Sequence, residues 1–102
     1  MEQPTEELRP IEASLLKDKV IVWDEVAGNE LYQKGYFGTP LSGGKLEISL
    51  VEAIFLIEKR RLKVKDEETG RELNFDDFLI KASELEPDIR TRFVVYRDLK
   101  SR

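Results

Sequence analysis

Residues 49–60 (SLVEAIFLIEKR) constrain the fold of this chain more tightly than any other stretch. β-Branched and aromatic side chains alone would permit a strand there. Ser49 and Glu52, however, have the spacing of a capping box, in which the serine hydroxyl accepts from a free amide and the glutamate reaches back to the serine amide. Ala53 and the length of the run also favour a helix. Leu50, Val51, Ala53, Ile54, Phe55, Leu56 and Ile57 cover most of its circumference. A helix apolar on several sides is buried on several sides, so this one is expected at the centre of the core. Lys59, Arg60 and Arg61 suit its carboxyl end, where free carbonyls favour cations.

Other elements arrange themselves around that centre. Residues 19–23 (KVIVW) read as a strand bounded by Asp18 and Asp24. Residues 28–38 hold a possible short helical turn, with Asn29 as its cap and Gly35 as its end. Residues 39–44 (TPLSGG) are a loop by composition, and 45–48 a short extended segment. Leu62, Lys63, Val64 and Lys65 alternate as a strand with one wet face, and residues 66–70 turn the chain back. Asn74 caps a helix in which Phe75, Phe78, Leu79 and Ala82 make an apolar stripe. Pro87 opens a last helix with Ile89, Phe93, Tyr96 and Leu99 as its apolar face. The fold class is α+β, a small mostly antiparallel sheet packed by three helices. Residues 1–18 are expected to be a flexible acidic lead-in and 19–102 the folded domain.

A chain of 102 residues suits one domain. It holds no cysteine, which excludes disulfides, thiolate nucleophiles and thiolate metal sites. It holds no histidine, which removes the commonest general acid–base and metal ligand. No catalytic residue, metal ligand or cofactor site is therefore assigned. Charged residues make up 37% of the chain, and asparagine and glutamine are scarce, a mix that leans towards thermophiles. The longest apolar run, 53–57, falls far short of the roughly 20 residues that span a bilayer, and the polar amino terminus is no signal peptide. The expected location is cytoplasmic, with no membrane partner.

Three further segments form an ordered set: 35–40 (GYFGTP), 46–53 (LEISLVEA) and 93–100 (FVVYRDLK). The set resembles the amino-terminal domain of archaeal-type tRNA-intron splicing endonucleases, from about Lys19 onwards. The resemblance implies an enzyme that cuts precursor tRNA at a bulge-helix-bulge element without metal. A ribose 2′-hydroxyl attacks the neighbouring phosphate and leaves a 2′,3′-cyclic phosphate and a 5′-hydroxyl. It also implies that the tyrosine, histidine and lysine of that chemistry lie in a catalytic carboxyl-terminal domain absent from this chain. Tyr32, Tyr36 and Tyr96 do not match the catalytic motif. The implied partners are that nuclease domain or a catalytic endonuclease subunit, together with precursor tRNA, in a parent assembly expected to be tetrameric. A fragment of a longer enzyme and a free-standing paralogue both fit.

Six bases are candidates for RNA or interdomain contact: Lys59, Arg60, Arg61, Lys63, Arg90 and Arg97. Each has an ordinary alternative, a solvated helix end, strand face or polar helix face. Tyr32, Tyr36 and Phe37 could stack on unpaired bases or cover the core. Residues 43–45 (GGK) lack the spacing of a phosphate-binding loop and read as a turn. Glu67, Glu68, Asp76 and Asp77 fit a turn and a helix start better than a metal site. The alternative function is a stand-alone helix-turn-helix-like nucleic-acid-binding module, because two helices flank a short turn near residue 87. The acidic net charge of −4 weighs against it.

Overall fold

The computed structural model of the protein describes residues 10–100. Its elements are β1 (Ile11–Leu16), β2 (Lys19–Val22), α1 (Glu25–Gly35), β3 (Thr39–Pro40), β4 (Leu46–Ile48), α2 (Leu50–Glu58), β5 (Leu62–Asp66), β6 (Arg71–Leu73), α3 (Phe75–Leu85) and α4 (Ile89–Lys100). The strands form one sheet in the order β3-β4-β2-β1-β5-β6. Every pairing is antiparallel except that of β1 with β5, which is parallel. The α+β class with a mostly antiparallel sheet is what the sequence led us to expect.

The lead-in expected over 1–18 is overturned for Ile11–Leu16. These residues are β1, paired on both sides at the middle of the sheet. Ala13 and Leu15 point into the core, and Glu12 and Leu16 are exposed. The charged neighbours hid a short alternation that burial on one face makes a strand. The remaining part of that expectation, over residues 1–9, lies outside the described residues.

The helices cover one sheet face. Val20, Val22, Leu46, Ile48, Leu62 and Val64 rise from it to meet α2, whose Leu50, Ala53, Ile54, Phe55 and Leu56 are all buried. Ser49 accepts from the Glu52 amide (3.2 Å) and Glu52 accepts from the Ser49 amide (3.0 Å), so the capping box forms. The second Glu52 carboxylate oxygen accepts from the Gly38 amide (3.0 Å), which ties the loop after α1 to the start of α2. Asn74 caps α3 through the Asp77 amide (2.8 Å), and Phe78 and Ala82 are buried as their spacing required.

Two local expectations change. The possible turn within 28–38 is the three-turn helix α1, which begins earlier. Asp24, not Asn29, caps it by accepting from the Ala27 amide (2.9 Å). Gly35 does sit at its end, because a Cβ there would lie 2.5 Å from the Phe37 ring. Tyr36 takes the left-handed conformation that a glycine usually supplies (φ 60°). On α4, Leu99 is exposed rather than part of the inward face, which is made by Ile89, Phe93 and Tyr96. Its spacing from Tyr96 allowed either placement; the next residue, Lys100, is the one that turns towards α1.

Candidate functional site

The three bases at the end of α2 are set in place by backbone geometry. The Arg60 amide donates to the Ile57 carbonyl and the Arg61 amide to the Leu56 carbonyl, each at 2.9 Å. This is a Schellman closure, with Arg60 in the left-handed position (φ 62°). The Lys59 ammonium lies 5.4 Å from the Phe55 ring centroid. The Arg61 carbonyl accepts from the Ile11 amide (2.9 Å), so the same turn starts the β1–β5 pairing. All three side chains are exposed. Arg60 and Arg61 make no side-chain hydrogen bond or ion pair among the described residues.

Lys63 projects elsewhere. It stands on the sheet face that no helix among the described residues covers, beside an open hollow of about 630 Å³. Trp23, Ser14, Lys65 and Glu67 also line it. The Trp23 indole N–H donates to Ser14 Oγ (3.0 Å), and the Ser14 hydroxyl donates to Glu67 Oε2 (2.6 Å). Lys45 lies over the Trp23 ring at 5.6 Å. Glu12, Asp24 and Glu72 are in the lining too, so the hollow holds more acids than bases. Its field disfavours phosphate.

Arg90 and Arg97 are engaged within the fold. Arg97 pairs with Glu58 of α2 (3.1 Å) and stacks 5.1 Å from the Phe93 ring. Arg90 Nε is 3.4 Å from Ser83 Oγ on α3. Arg92 pairs with Glu86 (2.6 Å). Lys100 donates to the Gly35 carbonyl (2.7 Å) and lies 4.3 Å from the Phe37 ring, which pins the end of α4 to the end of α1. The six candidate bases therefore occupy three places: Lys59, Arg60 and Arg61 at the end of α2, Lys63 on the open sheet face, and Arg90 and Arg97 on α4.

The aromatic trio also divides. Phe37 is buried and tilts against Phe55 (6.1 Å), whereas Tyr32 is partly exposed and Tyr36 is 82% exposed. Tyr96 packs edge-on against Phe55 (5.6 Å). Burial and, second to it, the neighbouring Glu52 charge push its hydroxyl up to about 12, so it stays protonated at neutral pH. The carboxylates have local duties: Glu67 accepts from Ser14, Glu68 lies 3.9 Å from Lys81, and Asp76 and Asp77 sit in the first turn of α3. Sequence reasoning missed the Trp23–Ser14–Glu67 chain and the Lys100–Gly35 clasp. Neither leaves a local signal, because the partners are far apart in sequence.

The comparisons with known proteins bear on this arrangement. Residues 11–79 match the family model described as tRNA intron endonuclease, N-terminal domain. The chain is 37% identical over 91 residues to a tRNA-splicing endonuclease of Methanococcoides burtonii, covering 89% of this chain and 26% of that protein. It is 39% identical over 94 residues to a tRNA-splicing endonuclease of Pyrococcus horikoshii, covering 92% of this chain and 54% of that protein. It is 35% identical over 100 residues to one of Methanosarcina acetivorans, covering 98% of this chain and 28% of that protein. The chain thus spans between a quarter and about half of the length of these curated relatives.

Proposed function

The chain belongs to the tRNA intron endonuclease family, as its N-terminal domain, and we propose that it serves a non-catalytic, architectural role in an enzyme that removes introns from precursor tRNA at bulge-helix-bulge elements. The match of 11–79, which includes the central helix α2, carries this reading. The residue inventory supports the non-catalytic part. The sequence has no histidine, the side chain most often used as general base towards a hydroxyl. Tyr96 is held neutral against Phe55. The partner is a carboxyl-terminal nuclease domain or catalytic subunit, in an assembly proposed to be tetrameric and cytoplasmic. No helix among the described residues is long and apolar enough to cross a membrane.

Lys59, Arg60 and Arg61 are the bases best placed to meet RNA phosphates, since they are exposed and close in sequence. Arg90 and Arg97 belong to the edge of an interdomain contact, and Lys63 faces a mixed-charge hollow. The helix-turn-helix alternative has less support. α4 carries Arg92 and Arg97 in ion pairs and turns valines outward, a poor surface for base edges.

An end-labelled bulge-helix-bulge RNA, incubated without added metal, tests the role. The chain alone leaves it intact, and the chain combined with a nuclease half from a relative cleaves it. Cleavage by the purified chain alone overturns the non-catalytic assignment, and inactivity of the combination overturns the splicing role. In the active combination, replacing Lys59, Arg60 and Arg61 by glutamine lowers the salt dependence of RNA binding by roughly 0.7–0.9 in log–log slope per lost contact. An unchanged slope removes these residues from the RNA surface.

A further inference from the structure

Helix α4 is apolar on two sides. Its inward side, Ile89, Phe93 and Tyr96, packs on α2 and α3. Its outward side carries Val94, Val95 and Leu99, which are 53%, 55% and 63% exposed. Val95 and Leu99 are one turn apart, Thr91 precedes Val95 by another turn, and Arg97 and Asp98 are the charged residues that line the same shallow hollow. A helix lying on a domain surface turns charged side chains to water; one apolar on two sides is covered on two sides. The first helix shows Val26 exposed, and the third shows Ile80 and, at its last residue, Leu85; aliphatics scattered in this way need no explanation. The α4 strip differs because its members adjoin along the helix.

We propose that the Val94–Val95–Leu99 strip of α4 is the docking surface for the polypeptide that follows this domain in its longer relatives. The inference rests on the reading above that a further domain is the partner. Three observations select this occupant. The matched family domain is amino-terminal, and the Methanosarcina acetivorans relative aligns with 98% of this chain, α4 included. The Pyrococcus horikoshii relative has nearly as much polypeptide again outside its match, since this chain covers 54% of it. The family domain is described as N-terminal, so the rest of such a protein follows it, and the Methanosarcina acetivorans relative aligns through α4, whose end is held beside α1 by the Lys100–Gly35 bond. Area argues against a second copy of the chain. Three aliphatic side chains offer far less than the ~800 Å² per partner of a standard interface. A covalently joined partner needs no such area, because tethering gives it a local concentration of order mM.

The test joins this chain to the part of the Pyrococcus horikoshii relative that lies outside its match, and compares the chimera with the chain alone by methyl NMR. A water-soluble paramagnetic agent broadens the Val94, Val95 and Leu99 methyls in the chain alone. In the chimera that broadening falls severalfold, while Ile80 stays as accessible as before. Val95→Asp moves the melting temperature of the isolated chain by no more than about 4 °C, as a surface change should. In the chimera the same substitution re-exposes the Val94 and Leu99 methyls. Equal broadening in chain and chimera overturns the proposal. Light scattering that shows a dimer of the chain alone, with the same methyls shielded, assigns the strip to a second copy and also overturns it. RNA cleavage by the chimera is scored separately. A shielded but inactive chimera sinks the splicing role and keeps the docking surface; an active, unshielded one does the reverse.

Discussion

Arg60 sits at a backbone position that an L-residue occupies at a cost. Its φ of 62° crowds the Cβ against the carbonyl, and the Schellman closure of α2 needs that conformation. Arg60→Gly is expected to raise stability by about 1 kcal/mol, read as an upward shift of the urea midpoint at unchanged slope. A lower midpoint would show that the guanidinium has a stabilising partner. Tyr96 gives a second residue-scale prediction. Its folded value is about 12 against the ordinary 10, so the unfolded chain loses this proton first. The contribution of Tyr96 to stability is therefore undiminished below pH 10 and is lost as pH rises from 10 towards 12. Tyr96→Phe should flatten that alkaline loss, read from urea midpoints taken across this pH range. An alkaline loss of the same size in Tyr96→Phe would contradict the burial argument.

At the scale of elements, the start of α2 is a junction rather than a simple cap. Ser49 serves the helix alone, whereas Glu52 serves the helix and the Gly38 loop. Gly38 has its own reason to be glycine, with φ at 79° and Glu47 O 2.7 Å from the place of a Cβ. Ser49→Ala is expected to cost about 1 kcal/mol. Glu52→Ala should cost more, about 2 kcal/mol, because it also leaves the Gly38 amide without its acceptor. Denaturant melts of both variants check the order; equal losses would mean that the loop contact adds nothing. The capping-box half of this junction was legible, because a serine three residues before a glutamate is a local pattern. The Gly38 half was not, because it depends on where the loop after α1 returns.

At the scale of the whole molecule, β1 decides whether the sheet is continuous. It lies between β2 and β5, so the sheet has no continuous middle without it. Leu15 is buried there. Leu15→Ala is expected to destabilise the domain by about 2–5 kcal/mol, a large share of the stability of a chain this size. Thermal unfolding followed by circular dichroism measures it. A loss below about 0.5 kcal/mol, typical of a surface site, would return this segment to the periphery. The same scale explains the scattered bases. The chain order placed Lys63 two residues after Arg61, yet strand alternation turns Lys63 onto the uncovered sheet face. One run in sequence becomes two surfaces in space.

What the sequence determined by itself was everything written in short-range rules. The helix of 49–60, its capping box, the Asn74 cap, the α3 stripe and the α+β class all follow from patterns within one or two turns. The order of three motifs added the family. Tertiary structure alone decided the rest: β1 at the sheet centre, the Ser14–Glu67 bond across 53 residues, the Lys100–Gly35 clasp across 65, and the outward turn of Leu99. The physical reason is the same in each case. A local pattern specifies which sides of an element are apolar, but only the packed neighbours decide which of those sides is covered, and by what.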